Sequence, residues 1–170
     1  KKVDFGKPDY YDESDFRRIF IDLKQMKSFA ENPVIFRKGK GVRLWDINGK
    51  EYLDAISGIF VASVGYGNER VISAIYEQLK ELTFAPPIHS ISDTALRLAR
   101  KMREITPDPL NSMKFFSGGS ESTEAALKLI RQYHKQTGNP TKFKFISLYT
   151  AFHGATMGAM SLSGMPGTRK

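Results

Sequence analysis

Two short stretches of this sequence carry residue types that could do chemistry. The first is Ser117-Gly118-Gly119-Ser120, which heads the amphipathic run ESTEAALKLIRQYHK. Glycine lets the backbone approach a ligand closely. The first turn of a helix leaves N–H groups unpaired and partly positive. Gly118, Gly119 and Ser120 could therefore cradle a phosphate, with the serine hydroxyl adding a bond. The same residues also read as a plain helix start with Ser120 as N-cap, worth about 1 kcal/mol. Glu121 and Glu124, read as first-turn acids, would complement the dipole and favour that plainer reading. The capping box is incomplete, because Thr123 stands where Glu or Gln belongs. No Gly-Lys-Ser/Thr follows, so this is no Walker A loop, and it is not G-x-G-x-x-G. On these residues alone both readings stay open.

The second stretch is AFHGATMGAMSLSG, residues 151–164. Phe152 is either core packing or an aromatic face for a flat ring. His153 is either a satisfied turn histidine or part of the same site. Gly154 and Gly158, with small neighbours, let the segment pack tightly.

The elements that must hold these stretches follow from periodicity. A strand at 113–116 (MKFF), a helix at 119–136 and a strand at 142–148 (KFKFISL) predict a right-handed parallel crossover. Its ligand edge is the carboxyl end of the strands, where both stretches fall. The helix's apolar stripe is Ala125, Ala126, Leu129, Ile130 and Tyr133. Upstream, spacing predicts helices at 12–30, at 68–83 with Val71, Ile75, Leu79 and Leu82 on one face, and at 92–105 with Ala95, Leu98, Ala99 and Met102 inward. Asn48-Gly49 predicts a hairpin between strands 42–46 and 51–54. Residues 56–68 (ISGIFVASVGYGN) are too apolar for an ordinary loop, so they are expected to be buried or to line a pocket.

Composition narrows the class. The chain has 170 residues, 41% hydrophobic and 26% charged, as a soluble globular protein does. No apolar run is long enough to span a bilayer, and the start shows no secretory pattern. There is no cysteine, hence no disulfide or thiolate metal site. His89, His134 and His153 are too far apart for metal-ligand spacing. The cytoplasm is the expected location. The net charge of +8 admits nucleic acid as a partner, but the basic residues are dispersed among acids and no aromatic-basic stripe is visible.

Taken together, the two stretches resemble one family, the class III pyridoxal-phosphate-dependent aminotransferases of fold type I. FFSGGSESTEAALKLIRQYHK resembles the family's strand, phosphate loop and helix. AFHGATMGAMSLSG resembles its aromatic-His-Gly segment, and RLWDINGKEYLDAISGIFVASVGYGN resembles its N-terminal hairpin and following loop. The resemblance runs from about residue 30 to the end, and is nearest to the ω-aminotransferases that take amines or ω-amino acids, such as β-alanine or taurine, with pyruvate. It implies an α/β fold: the N-terminal part of a small domain (1–57), then the start of a large, mostly parallel-sheet cofactor domain (58–170). It implies pyridoxal 5'-phosphate as cofactor, with Gly118, Gly119 and Ser120 on the phosphate and Phe152 stacked on the ring, His153 and Gly154 completing that motif. Ile59 and Phe60 match positions near the substrate. Phe84 and Ala85 match a segment that reaches the partner subunit's active site, which implies a homodimer with shared sites.

The family's mechanism needs a lysine that binds the cofactor and moves a proton, and an acid on the pyridine nitrogen. In the family both follow the aromatic-His-Gly motif by a long way, and no lysine here sits at that position. The chain therefore reads as an N-terminal portion of a longer enzyme, with no catalytic residue of its own. Three other readings stand beside it: a different reaction on the same scaffold (aminomutase, decarboxylase or racemase), a basic nucleic-acid-binding α/β module, and an inactive paralogue used as a scaffold.

Overall fold

The computed structural model describes residues 14–15, 18–21 and 24–167. The chain divides into two compact units, Lys1–Pro87 and Ile88–Lys170.

The first unit holds a short helix α1 (Met26–Glu31), strands β1 (Phe36–Lys40), β2 (Arg43–Asp46) and β3 (Glu51–Leu53), a four-residue turn α2 (Ser57–Phe60) and helix α3 (Glu69–Glu81). The strands form an antiparallel sheet in the order β1-β2-β3. Trp45 pairs with Glu51 and Leu44 with Tyr52, and the Phe36 ring meets Tyr52 edge-on at 5.4 Å. The expected hairpin forms; Asp46 N donates to Lys50 O at 3.1 Å and so closes a three-residue loop, Ile47 to Gly49. Gly49 takes φ 75°, the left-handed position such a loop requires. Asp46 fixes it: one carboxylate oxygen accepts from Asn48 N and Lys50 N, both at 2.9 Å, and the other from the Tyr52 hydroxyl at 3.0 Å. Asp46 is buried, so these bonds also satisfy its charge.

The predicted helix at 12–30 is not observed as such. Residues 12–13, 16–17 and 22–23 lie outside the described residues. Residues 19–21 and 24–25 are non-helical, and the helix begins only at Met26, where Gln25 accepts from Ser28 N at 2.7 Å. The apolar spacing asked for a surface to pack on, and Ile19 and Phe20 are exposed; a marginal helix needs such packing.

The second unit holds α4 (Asp93–Arg103), α5 (Gly119–Gln136) and α6 (Met157–Leu162). Ser92 caps α4 by accepting from Ala95 N at 3.1 Å. The bounds of α3, α4 and α5 fall within two residues of those the sequence predicts. The predicted strands at 113–116 and 142–148 carry no ladder, so the parallel crossover is not formed; among the described residues the only sheet is the antiparallel one. A parallel strand needs hydrogen-bonding neighbours and cover on both faces. Here Ile146 is 99% exposed and Leu148 is 78% exposed.

The predicted inward faces are likewise uncovered. Val71, Ile75 and Leu79 of α3 and Leu82 just after it, Leu98 of α4, and Leu129, Ile130 and Tyr133 of α5 are exposed, while Ala95, Ala99, Met102 and Ala125 are half-buried. Among the described residues Ala159 is the one fully buried apolar side chain. What holds each unit together is therefore largely polar.

Candidate cofactor-binding corner

The sequence of α5 dictates its start. Gly118 is the N-cap, with an extended backbone and no side chain capping it. Ser120 is thus not the cap, which corrects the plainer reading of this corner. The helix's amides begin to find their own carbonyls at Ser122, which donates to Gly118 O at 3.1 Å. The amides ahead of it are the outward-facing first-turn donors. A Cβ built on Gly119 would meet nothing within 4 Å, whereas one on Gly118 would sit 3.1 Å from a Glu121 carboxylate oxygen, so the corner is open on its Gly119 side.

One face of α5 binds the 152–159 segment. Ser120 Oγ accepts from Ala155 N at 3.0 Å. Thr123 Oγ1 donates to His153 O at 2.9 Å. Glu124 Oε1 accepts from Thr156 Oγ1 at 2.7 Å, Gly158 N at 2.7 Å and Ala159 N at 3.2 Å. Residues 120, 123 and 124 share a helix face, which is why one segment can meet all three. Gly154 lies against this face with φ 135°; a Cβ there would sit 2.6 Å from Ser120 Oγ and 3.0 Å from Ser120 Cα. Behind the segment, His153 N donates to the buried Ser163 hydroxyl at 3.1 Å, and Gly164 N to Ala151 O at 2.9 Å.

The structure thus brings Gly118, Gly119, Ser120, His153 and Gly154 into one place. Phe152 is next to them in sequence, with its side chain 64% exposed. Sequence reasoning missed Thr123, Ser163, α6 and above all Glu124. Glu124 is in the second turn and does not serve the α5 dipole. Its bonds to Thr156, Ala159 and Gly158 hold its carboxyl below the usual value of 4.5, against a smaller opposing push from burial. The available signal was its spacing, three and four residues from Glu121 and Ser120.

The other candidate residues lie in the first unit. Ser57, Gly58, Ile59 and Phe60 all take positive φ, at 50°, 57°, 61° and 70°. A left-handed run of this kind is costly for residues with a Cβ. Asp54 holds it, accepting from Gly58 N at 2.7 Å, Ile56 N at 3.2 Å and the Tyr66 hydroxyl at 2.7 Å. Gly41 and Tyr66 exchange backbone bonds of 2.8 Å, tying the loop to the sheet. The turn leaves Ile59 70% and Phe60 82% exposed, and Val61 and Val64 are exposed too. The burial expected for 56–68 is therefore not found: the loop is anchored by its backbone and polar groups, with its apolar side chains outward. Phe84 is exposed and Ala85 half-buried in the segment after α3.

The family profile described as aminotransferase class-III matches residues 26–170. The chain belongs to the class-III aminotransferases. These are pyridoxal-phosphate-dependent enzymes of fold type I. A probable aminotransferase of Mycobacterium tuberculosis is 39% identical over 150 residues, covering 88% of this chain and 32% of that protein. An (S)-enantioselective ω-transaminase from Thermomicrobium roseum superposes with a TM-score of 0.87 at 33% identity, over 91% of this chain and 35% of its own. The Pseudomonas jessenii ω-transaminase in complex with PMP does so with a TM-score of 0.89 at 31% identity, over 93% and 35%. This class-III chain spans about a third of the length of the curated relatives it matches. Among the described residues, no helix is long and apolar enough to cross a membrane.

Proposed function

We propose that this chain carries the cofactor-phosphate and ring-stacking part of an ω-aminotransferase, which moves an amino group from an amine or ω-amino acid to an oxo acid such as pyruvate. The observation that supports it is the binding of the 152–159 segment onto the first turns of α5. The residues fit pyridoxal 5'-phosphate. Gly118, Gly119 and Ser120 offer first-turn amides at an open corner to the phosphate. Ser120 accepts from Ala155 N, so its hydroxyl keeps a hydrogen to donate. Phe152 offers an exposed aromatic face from the tethered segment. His153 closes that segment through its backbone. When bound, the cofactor supplies the electron sink for nitrogen transfer.

The rest of the proposal extends to substrate and assembly. Ile59 and Phe60 face the amino donor, and Phe84 and Ala85 reach the partner's site in a homodimer with shared active sites. The division at residue 57 separates a small domain from the cofactor domain, and the enzyme works in the cytoplasm. The likeness to ω-transaminases supports the donor class.

The complete protein should form alanine from pyruvate with a terminal amine or β-alanine as donor, in a reaction that stops when the cofactor is stripped and resumes when it is restored. Consumption of the donor with no oxo acid consumed would instead establish an aminomutase or decarboxylase on this scaffold.

A further inference from the structure

We propose that Glu124 is a positioning residue for the cofactor ring: by clasping the 154–159 turn to the second turn of α5, it fixes Phe152 beside the helix's N-terminal corner. The inference rests on the reading of that corner as a cofactor site. Three observations carry it.

Helix α6 has no side-chain cap of its own at Thr156. Glu124 takes that place from another helix, accepting the amides of Gly158 and Ala159, the second and third residues of α6, and the Thr156 hydroxyl. All three bonds converge on one oxygen, Oε1. Second, the fit is close: a Cβ built on Gly158 would fall on the Glu124 carboxylate. Third, the Phe152 side chain is 64% exposed, so little packing orients it. Its ring direction is inherited from the backbone, and that backbone is tethered by this face of α5, by Ser163 and Gly164, and by the Ala151 N bond to Leu148 O at 3.3 Å. Ser120 and Thr123 bracket Gly154; Glu124 holds the far side of the same turn. The phosphate corner is built from the first-turn amides of α5 itself; the Ser120 hydroxyl, which also meets Ala155 N, is its link to the clasped segment.

The role separates ring from phosphate, and that separation is the test. In the complete protein, Glu124→Ala is expected to raise the dissociation constant of pyridoxal phosphate about tenfold. Inorganic phosphate, which reads the corner alone, should compete with the cofactor with a constant unchanged within about twofold. Glu124→Gln keeps an oxygen acceptor at the same place and should restore near-parental cofactor affinity. Thr156→Val removes one bond of three and should give the same pattern at about threefold, so the question stays answerable if the alanine variant does not fold. Parental cofactor affinity in Glu124→Ala or in Thr156→Val overturns the proposal. So does an equal weakening of phosphate and cofactor, or a glutamine variant as weak as alanine. A parent protein that retains no pyridoxal phosphate overturns the reading beneath it instead.

Discussion

The two polar anchors of this molecule differ in how far along the chain they reach. In the hairpin unit, Asp46 bonds residues two to six positions away, and Asp54 bonds residues two to twelve positions away. In the corner unit, Ser120, Thr123 and Glu124 bond residues thirty to thirty-five positions away. Both anchors use a carboxylate or hydroxyl to satisfy backbone groups of a Gly-rich loop. The first kind forms once a hairpin closes. The second requires a helix and a distant segment to have met, which costs more loop-closure entropy. The lesson is that a local anchor is available to the chain early, whereas a long-range anchor exists only after the fold has brought two segments together.

The strongest way to break the corner is Gly154→Ala. The residue's φ of 135° and its contact with the Ser120 backbone leave a Cβ nowhere to go. A loss of about 2–4 kcal/mol in the unfolding free energy is expected from strain and overpacking together. It is read as a lower denaturant midpoint of the complete protein, with cofactor retention falling in parallel. A change under 0.5 kcal/mol would show that the segment shifts freely on α5.

Phe152→Ala sharpens the comparison instead. Its exposed ring contributes little packing, so stability should hold while cofactor affinity falls by about 1 kcal/mol. Equilibrium titration with pyridoxal phosphate reads it. Equal affinity would remove the ring from the site and leave only the phosphate corner.

The smallest expected effect is a pH signature that separates the two anchors. The Tyr66 hydrogen bond is the main cause holding the Asp54 carboxyl below its usual 3.8, and that bond raises the Tyr66 hydroxyl above its usual 10.0. A carboxyl lowered on folding stabilises above its unfolded value, and the benefit is lost as pH falls through the folded value. A tyrosine raised on folding stabilises below its unfolded value, and loses that benefit as pH rises through the folded one. The 54–66 loop should therefore loosen at both extremes, in acid below the aspartate range and in alkali above the tyrosine range. The Glu124 clasp, lowered with no titrating partner, should loosen in acid alone. Amide exchange at Gly58 and at Gly158 distinguishes the two. An alkaline opening at Gly158, or none at Gly58, would contradict the assignment.

Much of this was legible in the residues. The hairpin followed from Asn48-Gly49 and the alternation around it, because turn chemistry and period are local properties. Helices α3, α4 and α5 followed from apolar spacing alone; the Asn68 and Ser92 caps that start α3 and α4 are seen in the structure. The residue types singled out the glycine corner and the aromatic segment but left a phosphate cradle and a plain helix start both open; it was the resemblance of both stretches to one family that joined them. The helix at 12–30 and the strands at 113–116 and 142–148 did not follow, since each is made by neighbours rather than by its own residues. The role of Glu124 was hidden for a related reason: its identity fits a dipole interaction in its own helix equally well.

By itself, then, the sequence determined the local elements and the chemistry each could offer: a hairpin, three amphipathic helices, a first turn open to an anion and an aromatic beside two glycines. Only the tertiary structure decided that Ser120, Thr123 and Glu124 clasp residues 153–159, that Gly118 caps α5, and that Ser57–Phe60 is wound left-handed with its apolar side chains outward. The physical reason is one of range. Torsional preference, capping and periodicity act over a turn or two, and residues carry them wherever they go. A hydrogen bond across thirty residues exists only where the fold has already delivered both of its ends.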